Sequence, residues 1–274
     1  MISNVANLYM RRDLLQELVA SDLRSSASET RLGWVWWLID PLFTMMIYWA
    51  VVVGIFGRGG HYHPYPIFIL CALLPFKHFG GSINSCCKLL RSREGLIKSV
   101  PFPTMVLPLS VVLSGFGFFL FGQATLLIAA WIWGLPITVA LVQLPALWVL
   151  QVVFYIGACL IITAFGALVR DLSGFMGHVL RLFFYMAPVL YGADMVEERF
   201  TKGALGASRF ADIIPTIYMM NPLAILFTGY REAIFYGRFL AGEHWVVLTV
   251  SSLLVFAIGY RVFQHFDRRV IKFL

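Results

Sequence analysis

The sequence is short of charged residues. Asp, Glu, Lys and Arg make up 13% of its 274 residues, whereas 60% are hydrophobic and the mean hydropathy is +0.82. Soluble domains carry about 25% charged residues, so this chain has too few to cover a water-facing surface. The composition excludes a soluble globular domain and predicts a multi-pass membrane protein.

Cysteine is scarce as well, and the common catalytic and metal-binding patterns are missing. No G-x-x-x-x-G-K-[ST] phosphate loop occurs, so we expect no ATP hydrolysis by this chain and no cofactor in it. His61 and His63 lie two residues apart, but no carboxylate or cysteine lies close to them in the sequence, and we expect no metal site. The four cysteines, which lie in or beside apolar runs at no zinc or disulfide spacing, are Cys71, Cys86, Cys87 and Cys159.

Hydrophobic runs divide the chain into six predicted transmembrane helices. A helix needs about 20 apolar residues to cross a bilayer, and such runs lie at residues 36–56, 67–87, 105–133, 144–168, 175–191 and 245–263. Before them, residues 8–24 show an apolar and a charged face at helical spacing, which is typical of an interfacial amphipathic helix. We predict an all-α membrane protein with an N-terminal cytoplasmic interfacial helix in residues 1–34 and a transmembrane domain in residues 35–274.

The net charge of +7 comes mainly from basic residues on one predicted side of the membrane. Four Arg precede residue 35, four Lys or Arg lie in residues 88–98, Arg170 follows the fourth run, and three lie in the C-terminal tail. The short loops opposite contain Arg58 alone. Cytoplasmic loops are enriched in Lys and Arg, so we expect both termini to be cytoplasmic. This explains the pI of about 9.4 without a nucleic-acid partner.

Residues 192–244 form a long segment that does not read as a plain outer loop. Two apolar pieces, residues 213–218 and 223–236, are each too short to span a bilayer, and Pro215 and Asn221-Pro222 interrupt them. Backbone that enters and leaves the membrane on one side is tolerated only where protein buries it or where it lines a water-filled path. We predict two re-entrant half-helices that form an outer gate between spans five and six.

The predicted cytoplasmic loop at residues 88–104 combines a short basic helix with a Pro-x-Pro exit at Pro101 and Pro103. Its composition fits an ordinary positive-inside loop and, equally, a docking helix for a cytosolic motor. From the residues alone both interpretations stay open.

Several short motifs follow one another along nearly the whole chain. They are Leu32-Gly33-Trp34 with Asp40-Pro41-Leu42, Leu74-Pro75-Phe76, Gly95 to Lys98 with Phe102-Pro103, Leu107 to Ser110, Arg170-Asp171-Leu172, and Asn221-Pro222 with Arg231. In this order and spacing they resemble the permease subunit of type-two ABC exporters, in the branch that exports polysaccharides, O-antigens and teichoic acids. Tyr48-Trp49, Gly54 and Arg58-Gly59 look most like the wall teichoic acid exporter permease.

The resemblance implies an assembly and a substrate. Two copies of this chain would join two copies of a separate ABC ATPase, which binds ATP and Mg, in the cytoplasmic (inner) membrane of a bacterium. The complex would act as a flippase in cell wall biogenesis and move a polymer on an undecaprenyl carrier. The resemblance places the ATPase contact in the coupling loop at residues 88–104, through Arg91, Arg93, Glu94, Gly95, Lys98, Pro101, Phe102 and Pro103.

Other residues are assigned on side-chain chemistry within this scheme. Aromatic side chains suit sugar faces because they combine flat apolar area with a polar edge; the predicted channel lining is Trp36, Trp37, Tyr48, Tyr185 and Tyr191, each of which could instead face lipid. Arginines bind phosphate by charge-assisted hydrogen bonds; the predicted lipid-phosphate contacts are Arg24, Arg31 and Arg170. The predicted outer gate is Pro215, Asn221, Pro222 and Arg231.

Three other functions stay open at the level of sequence. The first is a type-two ABC permease for drugs or small lipids. The second is a secondary transporter, although no clear carboxylate lies near a span midpoint. The third is a membrane-embedded transferase, which would need clustered acid and base residues where this sequence has scattered ones.

Overall fold

The computed structural model describes residues 12–28, 35–55, 62–99, 102–169, 171–201 and 213–273. Every regular element in these ranges is a helix, as the apolar composition predicts. In chain order they are α1 (Arg12–Ser28), α2 (Val35–Trp49, continued by the π-helical turn Ala50–Ile55), α3 (Tyr65–Ser92), α4 (Glu94–Ser99), α5 (Val106–Ile132), α6 (Leu144–Leu168, preceded by the 3-10 turn Val139–Gln143), α7 (Leu172–Met186), α8 (Ala193–Thr201), α9 (Ile213–Met219), α10 (Pro222–Arg231, continued by the π-helical turn Glu232–Tyr236) and α11 (Gly242–Phe273).

Four of the helices are long and apolar enough to cross a membrane. They comprise α3, α5, the stretch Val139–Leu168 and the part of α11 within Gly242–Phe266, which correspond to predicted spans two, three, four and six. The predicted first span is the shorter α2 with its π-helical turn. The predicted fifth span is α7, whose 15 residues extend about 22 Å and so fall short of a hydrocarbon core of about 30 Å. The total of six spans stays a prediction.

Helix α3 lies at the centre of the bundle and contacts α2, α5, α6, α7 and α10. In its most apolar 18-residue window 83% of the residues are buried, against 28–44% for the other three candidate spans. Helices α6 and α11 approach each other at two glycines: a Cβ on Gly157 would lie 2.5 Å from the backbone N of Phe256, and one on Gly259 would lie 2.1 Å from the carbonyl of Gly157. Small residues allow such close packing of apolar helices.

Helix α1 has the two faces that its sequence predicts. Leu18 is buried in the core, and Leu14 and Leu15 pack partly against it, whereas Gln16 and Glu17 are exposed. The apolar face lies against α5. The interfacial helix is therefore part of the folded bundle, while its depth in a membrane stays a prediction.

A chain of buried hydrogen bonds connects four helices. His78 on α3 donates from Nε2 to the carbonyl of Val112 on α5 (3.0 Å) and accepts at Nδ1 from the Gln151 amide on α6 (2.9 Å). The other end of that amide, Oε1, accepts from the hydroxyl of Tyr230 on α10 (2.6 Å). These contacts fix the histidine tautomer and hold α3, against which the candidate site is built.

Candidate functional site

The side of α3 that is not fully buried is polar, although the helix is apolar overall. Its residues recur every three or four positions and so form one stripe along the helix. We call it the polar stripe; it contains Phe76, Lys77, Gly80, Gly81, Asn84, Ser85, Lys88, Arg91 and Ser92, which are half-buried or exposed. Phe76 is its only large apolar member, and the residues between these positions are buried.

The other long helices expose the opposite kind of side chain. Helix α5 exposes Phe121 and Ile128, α6 exposes Val149, and α11 exposes Val250 and Leu254. Each of these side chains is at least half exposed. Apolar exposed faces of this kind suit lipid, so the polar stripe differs from the rest of the bundle surface.

A groove of about 430 Å³ separates the polar stripe from α7. Lys77 and Asn84 line its α3 side, and Arg181 and Tyr185 line its α7 side. Arg181 and Tyr185 are exposed, and none of the described residues forms an ion pair with Arg181. The groove therefore presents a cation, an amide and an aromatic hydroxyl side by side. Of the predicted channel-lining residues, Tyr185 is the one that lies in it.

Lys77 is paired, which its position in an apolar run did not indicate. Its Nζ donates to Asp40 Oδ2 (2.6 Å) and to Thr44 Oγ1 (2.8 Å) on α2. The Thr44 hydroxyl in turn donates to the carbonyl of Asp40 (2.7 Å). The contact secures α2 to the polar stripe. It also compensates the charge of a lysine whose burial inside a membrane would be costly.

The other predicted channel-lining residues lie elsewhere or outside the described side chains. Trp36 is exposed and borders a second cavity, between α1, α2, α3 and α5. Tyr191 is half-buried, and its hydroxyl donates to the carbonyl of Tyr185 (2.9 Å). For Trp37 and Tyr48 the structure describes the helical backbone but not the side chains. The lining role of all five stays a prediction.

The predicted coupling loop contains a short helix, α4, whose surface is polar. Glu94 and Lys98 form an ion pair one turn apart and keep 43% and 58% of their side chains exposed. Gly95 is also exposed. This part of the loop is exposed. Its docking role stays a prediction.

Two arginines of the loop make internal contacts instead. Arg93 forms an ion pair with Asp22 of α1 (2.7 Å). Arg91 donates to the carbonyl of Ala167 near the C-terminal end of α6 (3.2 Å), where cations are favoured by the helix dipole. Both arginines therefore connect the loop to the bundle. Phe102 and Pro103 are half-buried, and Pro101 lies outside the described residues.

The predicted lipid-phosphate arginines are not brought together by the described part of the chain. Arg24 lies exposed near the end of α1. Arg31 and Arg170 lie outside the described residues. Their phosphate contact stays a prediction.

The predicted outer gate contains two short helices, α9 and α10, separated by a break at Asn221. The Asn221 side chain accepts a hydrogen bond from the backbone N of Leu223 (3.0 Å), and Pro222 occupies the first turn of α10. This is a standard helix N-terminus. The re-entrant course of the segment and its gate role stay predictions. Pro215 lies in α9, where the structure does not describe its side chain.

Arg231, the fourth predicted gate residue, is 2% exposed and makes an unusually dense set of contacts. Its guanidinium donates to the carbonyls of Val189 (2.7 Å), Tyr191 (2.8 Å) and Phe68 (3.3 Å). It also lies 3.8 Å from the centre of the Phe68 ring. Because a buried cation needs such partners, Arg231 fixes the segment after α7 against the start of α3.

Two tyrosines beside α3 hold the same segment. The Tyr65 hydroxyl donates to the carbonyl of Leu190 (2.7 Å), and the Tyr62 hydroxyl donates to the carboxylate of Asp194 (2.7 Å). Burial, followed by this hydrogen bond to Asp194, raises the pKa of Tyr62 well above its usual value. The phenol therefore stays a neutral donor at physiological pH.

Comparison with known proteins identifies relatives along nearly the whole chain. Over 264 residues, 96% of each chain, the sequence is 25% identical to the O-antigen export system permease protein RfbA of Myxococcus xanthus. Over 278 residues it is 26% identical to RfbA of Klebsiella pneumoniae, covering 98% of this chain and 97% of that one. The chain is homologous to O-antigen export permeases.

A more distant relative and the fold complete the comparison. The polysialic acid transport protein KpsM of Escherichia coli is 20% identical over 255 residues, which cover 91% of this chain and 92% of that one. No protein-family model matches the chain. Taken with the four long apolar helices, these homologues identify a multi-pass membrane protein whose relatives are transport permeases for polysaccharide. Teichoic acid does not appear among the relatives' names.

Proposed function

We propose that this chain is the membrane subunit of an ATP-driven exporter that moves a lipid-linked polysaccharide across the inner membrane of a bacterium. In this proposal two copies of the chain form the pathway, and two copies of a separate ABC ATPase bind ATP and Mg. Similarity to O-antigen export permeases over 96–98% of the chain supports the permease role. An undecaprenyl carrier follows from the family resemblance.

The polar stripe of α3 is the observation that carries the proposal. A Lys at the centre of a lipid-facing helix costs about 2.5–3.5 kcal/mol, and the stripe adds Asn84, Ser85 and Gly81 to Lys77. Polar side chains at membrane depth face protein or a water-filled cavity. Because this chain leaves Gly81, Asn84 and Ser85 of the stripe exposed, a pathway between two copies is the arrangement that keeps them away from lipid.

The chemistry of the groove fits a sugar polymer. The hydroxyl groups of such a polymer would lose their water partners in hydrocarbon. Asn84 and Arg181 supply replacement hydrogen bonds, and Phe76, Phe184 and Tyr185 supply flat surfaces for sugar rings. An apolar drug or small lipid would need none of these polar groups, which favours polysaccharide over that second candidate. The teichoic-acid subclass and the inner-membrane orientation with cytoplasmic termini remain parts of the proposal.

Filling the groove tests the proposal. Asn84→Phe places a large side chain on the exposed face of α3, and we expect at least a tenfold loss of surface polysaccharide in a deletion strain complemented with the variant. The matched control is Ala124→Phe, on an exposed position of α5, which should export normally. The measurement is immunoblotting or sugar analysis of surface polymer, with membrane levels of each variant checked by an epitope tag.

Two outcomes would contradict the proposal. Unchanged surface polymer in the deletion strain itself would remove the export function. Normal export by Asn84→Phe at normal membrane levels would remove the polar stripe from the pathway. Chemical analysis of the missing polymer also decides between a polysaccharide and a teichoic acid, because only the latter carries phosphate in its backbone.

A further inference from the structure

A second and larger cavity lies beside the polar stripe, between α1, α2, α3 and α5. Its volume is about 760 Å³, within the range of small-molecule binding pockets. Along α3 it runs from Leu74 to Ser92, which corresponds to about 27 Å of helix. The predicted channel residues do not account for it, apart from Trp36 at its border. We refer to it as the serine cavity.

Five serines from three helices contribute hydroxyl groups to the lining of the serine cavity. They are Ser82, Ser85 and Ser92 on α3, Ser25 on α1 and Ser114 on α5. Most of these residues already use their hydroxyl proton: Ser92 donates to the carbonyl of Leu89 (2.9 Å), and Ser114 donates to that of Ser110 (2.7 Å). A serine oxygen that donates keeps two acceptor positions, so these serines offer acceptors to a ligand.

Ser82 is the exception, and it is the feature that points to a ligand. The residue is 3% exposed, and its Oγ has no hydrogen-bond partner among the described residues. A buried polar group without a partner is costly, and such groups in native structures call for a specific explanation. The Oγ lies at the cavity wall beside Gly115, whose Cβ, if it had one, would be 3.3 Å away. A ligand hydroxyl in the cavity would supply the missing partner.

Aromatic side chains also line the cavity. Phe118 and Phe119 on α5 and Trp36 on α2 border it. A site that combines hydroxyl groups with aromatic side chains suits a sugar ring, which has polar edges and apolar faces.

The charged residues of the cavity favour a sugar over a phosphate as its occupant. The cavity contains two cations, and each is already neutralised: Arg93 by Asp22 at 2.7 Å and Lys77 by Asp40 at 2.6 Å. A phosphate would have to compete with both carboxylates. A sugar with neighbouring hydroxyls can accept from the cation and donate to the carboxylate of the same pair.

We propose that the serine cavity binds a short neutral segment of the sugar polymer, with Ser82 donating to a sugar hydroxyl and Phe118 or Phe119 lying against the ring. This site is separate from the groove at α7, and the inference rests on the proposed export function because it takes its ligand from that polymer. Lys77 and Gly81 border both spaces, so a segment held here lies next to the pathway.

Protection of an introduced cysteine tests the site in the full permease–ATPase complex in nanodiscs. Ser85→Cys places a thiol in the serine cavity, and Asn84→Cys places one in the neighbouring groove. The four native cysteines are buried, so labelling by a water-soluble maleimide reports the introduced thiols. The probe is the neutral oligosaccharide fraction released from the surface polymer of the same organism.

We expect the oligosaccharides to protect Ser85→Cys at a concentration at least tenfold below that which protects Asn84→Cys. Adding Ser82→Ala should raise the protecting concentration about three- to tenfold, as expected for one lost neutral hydrogen bond, without lowering the thermal stability of the complex. A purely structural Ser82 would leave the protecting concentration unchanged, which would contradict the inference.

Other results of the protection experiment would overturn the sugar site or assign the cavity to another ligand. Equal protection of both thiols, or none of Ser85→Cys, would overturn the sugar site while leaving export intact. Protection of Ser85→Cys by undecaprenyl phosphate in the nanodisc but not by oligosaccharide would assign the cavity to a lipid phosphate instead. Loss of the proposed export function itself is measured separately, by surface polymer in the deletion strain.

Discussion

Two buried glutamines allow the contribution of buried hydrogen bonds to stability to be tested with the same substitution. Gln151 is fully buried on α6 and bridges His78 and Tyr230. Gln123 is 2% exposed on α5, and neither end of its amide has a hydrogen-bond partner among the described residues. Substituting leucine at each position keeps the side-chain size nearly constant and removes the amide. The two variants should therefore differ through hydrogen bonding alone.

The expected magnitudes follow from the contacts. Gln151→Leu leaves His78 Nδ1 and the Tyr230 hydroxyl without these partners. Burying an unsatisfied polar group costs about 1–3 kcal/mol in soluble proteins, whereas hydrogen bonds between membrane helices average about 0.6 kcal/mol. For two lost bonds we expect a decrease of about 1–6 kcal/mol in the free energy of unfolding. Gln123→Leu removes a group that is already unsatisfied and should be neutral or stabilising.

The assay is equilibrium unfolding of the purified chain in mixed micelles, followed by tryptophan fluorescence. A Gln151→Leu variant as stable as Gln123→Leu would refute the reasoning. Gln151→Glu serves as a further control, because its carboxylate still accepts from Tyr230 but cannot donate to His78, and its stability should lie below that of the wild-type chain.

Two further predictions concern helix packing and the coupling loop. Gly157→Ala should destabilise the bundle strongly, because its Cβ would lie 2.5 Å from the backbone of Phe256. The control Gly177→Ala should be tolerated, because a Cβ there would have nothing within 4 Å. Thermal aggregation of the two variants in detergent measures the difference. Glu94→Lys reverses an exposed charge on α4 and should reduce ATP hydrolysis by the complex severalfold while insertion stays normal, as tested by ATPase assay and membrane fractionation. Wild-type ATPase activity in Glu94→Lys would remove α4 from the docking surface.

The sequence predicted the parts of the fold that depend on local pattern. Long apolar runs specify helices wherever they occur, since backbone groups in lipid must be paired within the segment, and four of the runs are long apolar helices in the structure. The break at Asn221-Pro222 was also predictable, because the cap and the proline act on their own neighbours. The predicted fifth span was less accurate: α7 ends at Met186, before Pro188, and is too short to meet the same criterion.

The candidate site depended on contacts between residues far apart in the chain. Lys77 read as an isolated charge, whereas its partner Asp40 lies 37 positions away. Arg91 and Arg93 read as one docking cluster, but each contacts a different helix of the bundle. A basic side chain has several possible partners along a sequence, and only the packing of helices selects one.

The sequence by itself determined that this chain is a helical membrane protein, because hydropathy and helix-terminating residues act locally. Its motifs indicated a polysaccharide permease. Only the tertiary structure decided which side of α3 stays open. That side cannot be read from composition, since burial of the rest of the helix by α5, α6 and α10 is what leaves Asn84 and Ser85 exposed and Lys77 half-buried. Ser82, whose Oγ has no partner among the described residues, looked like any other serine of the run until the surrounding helices were in place.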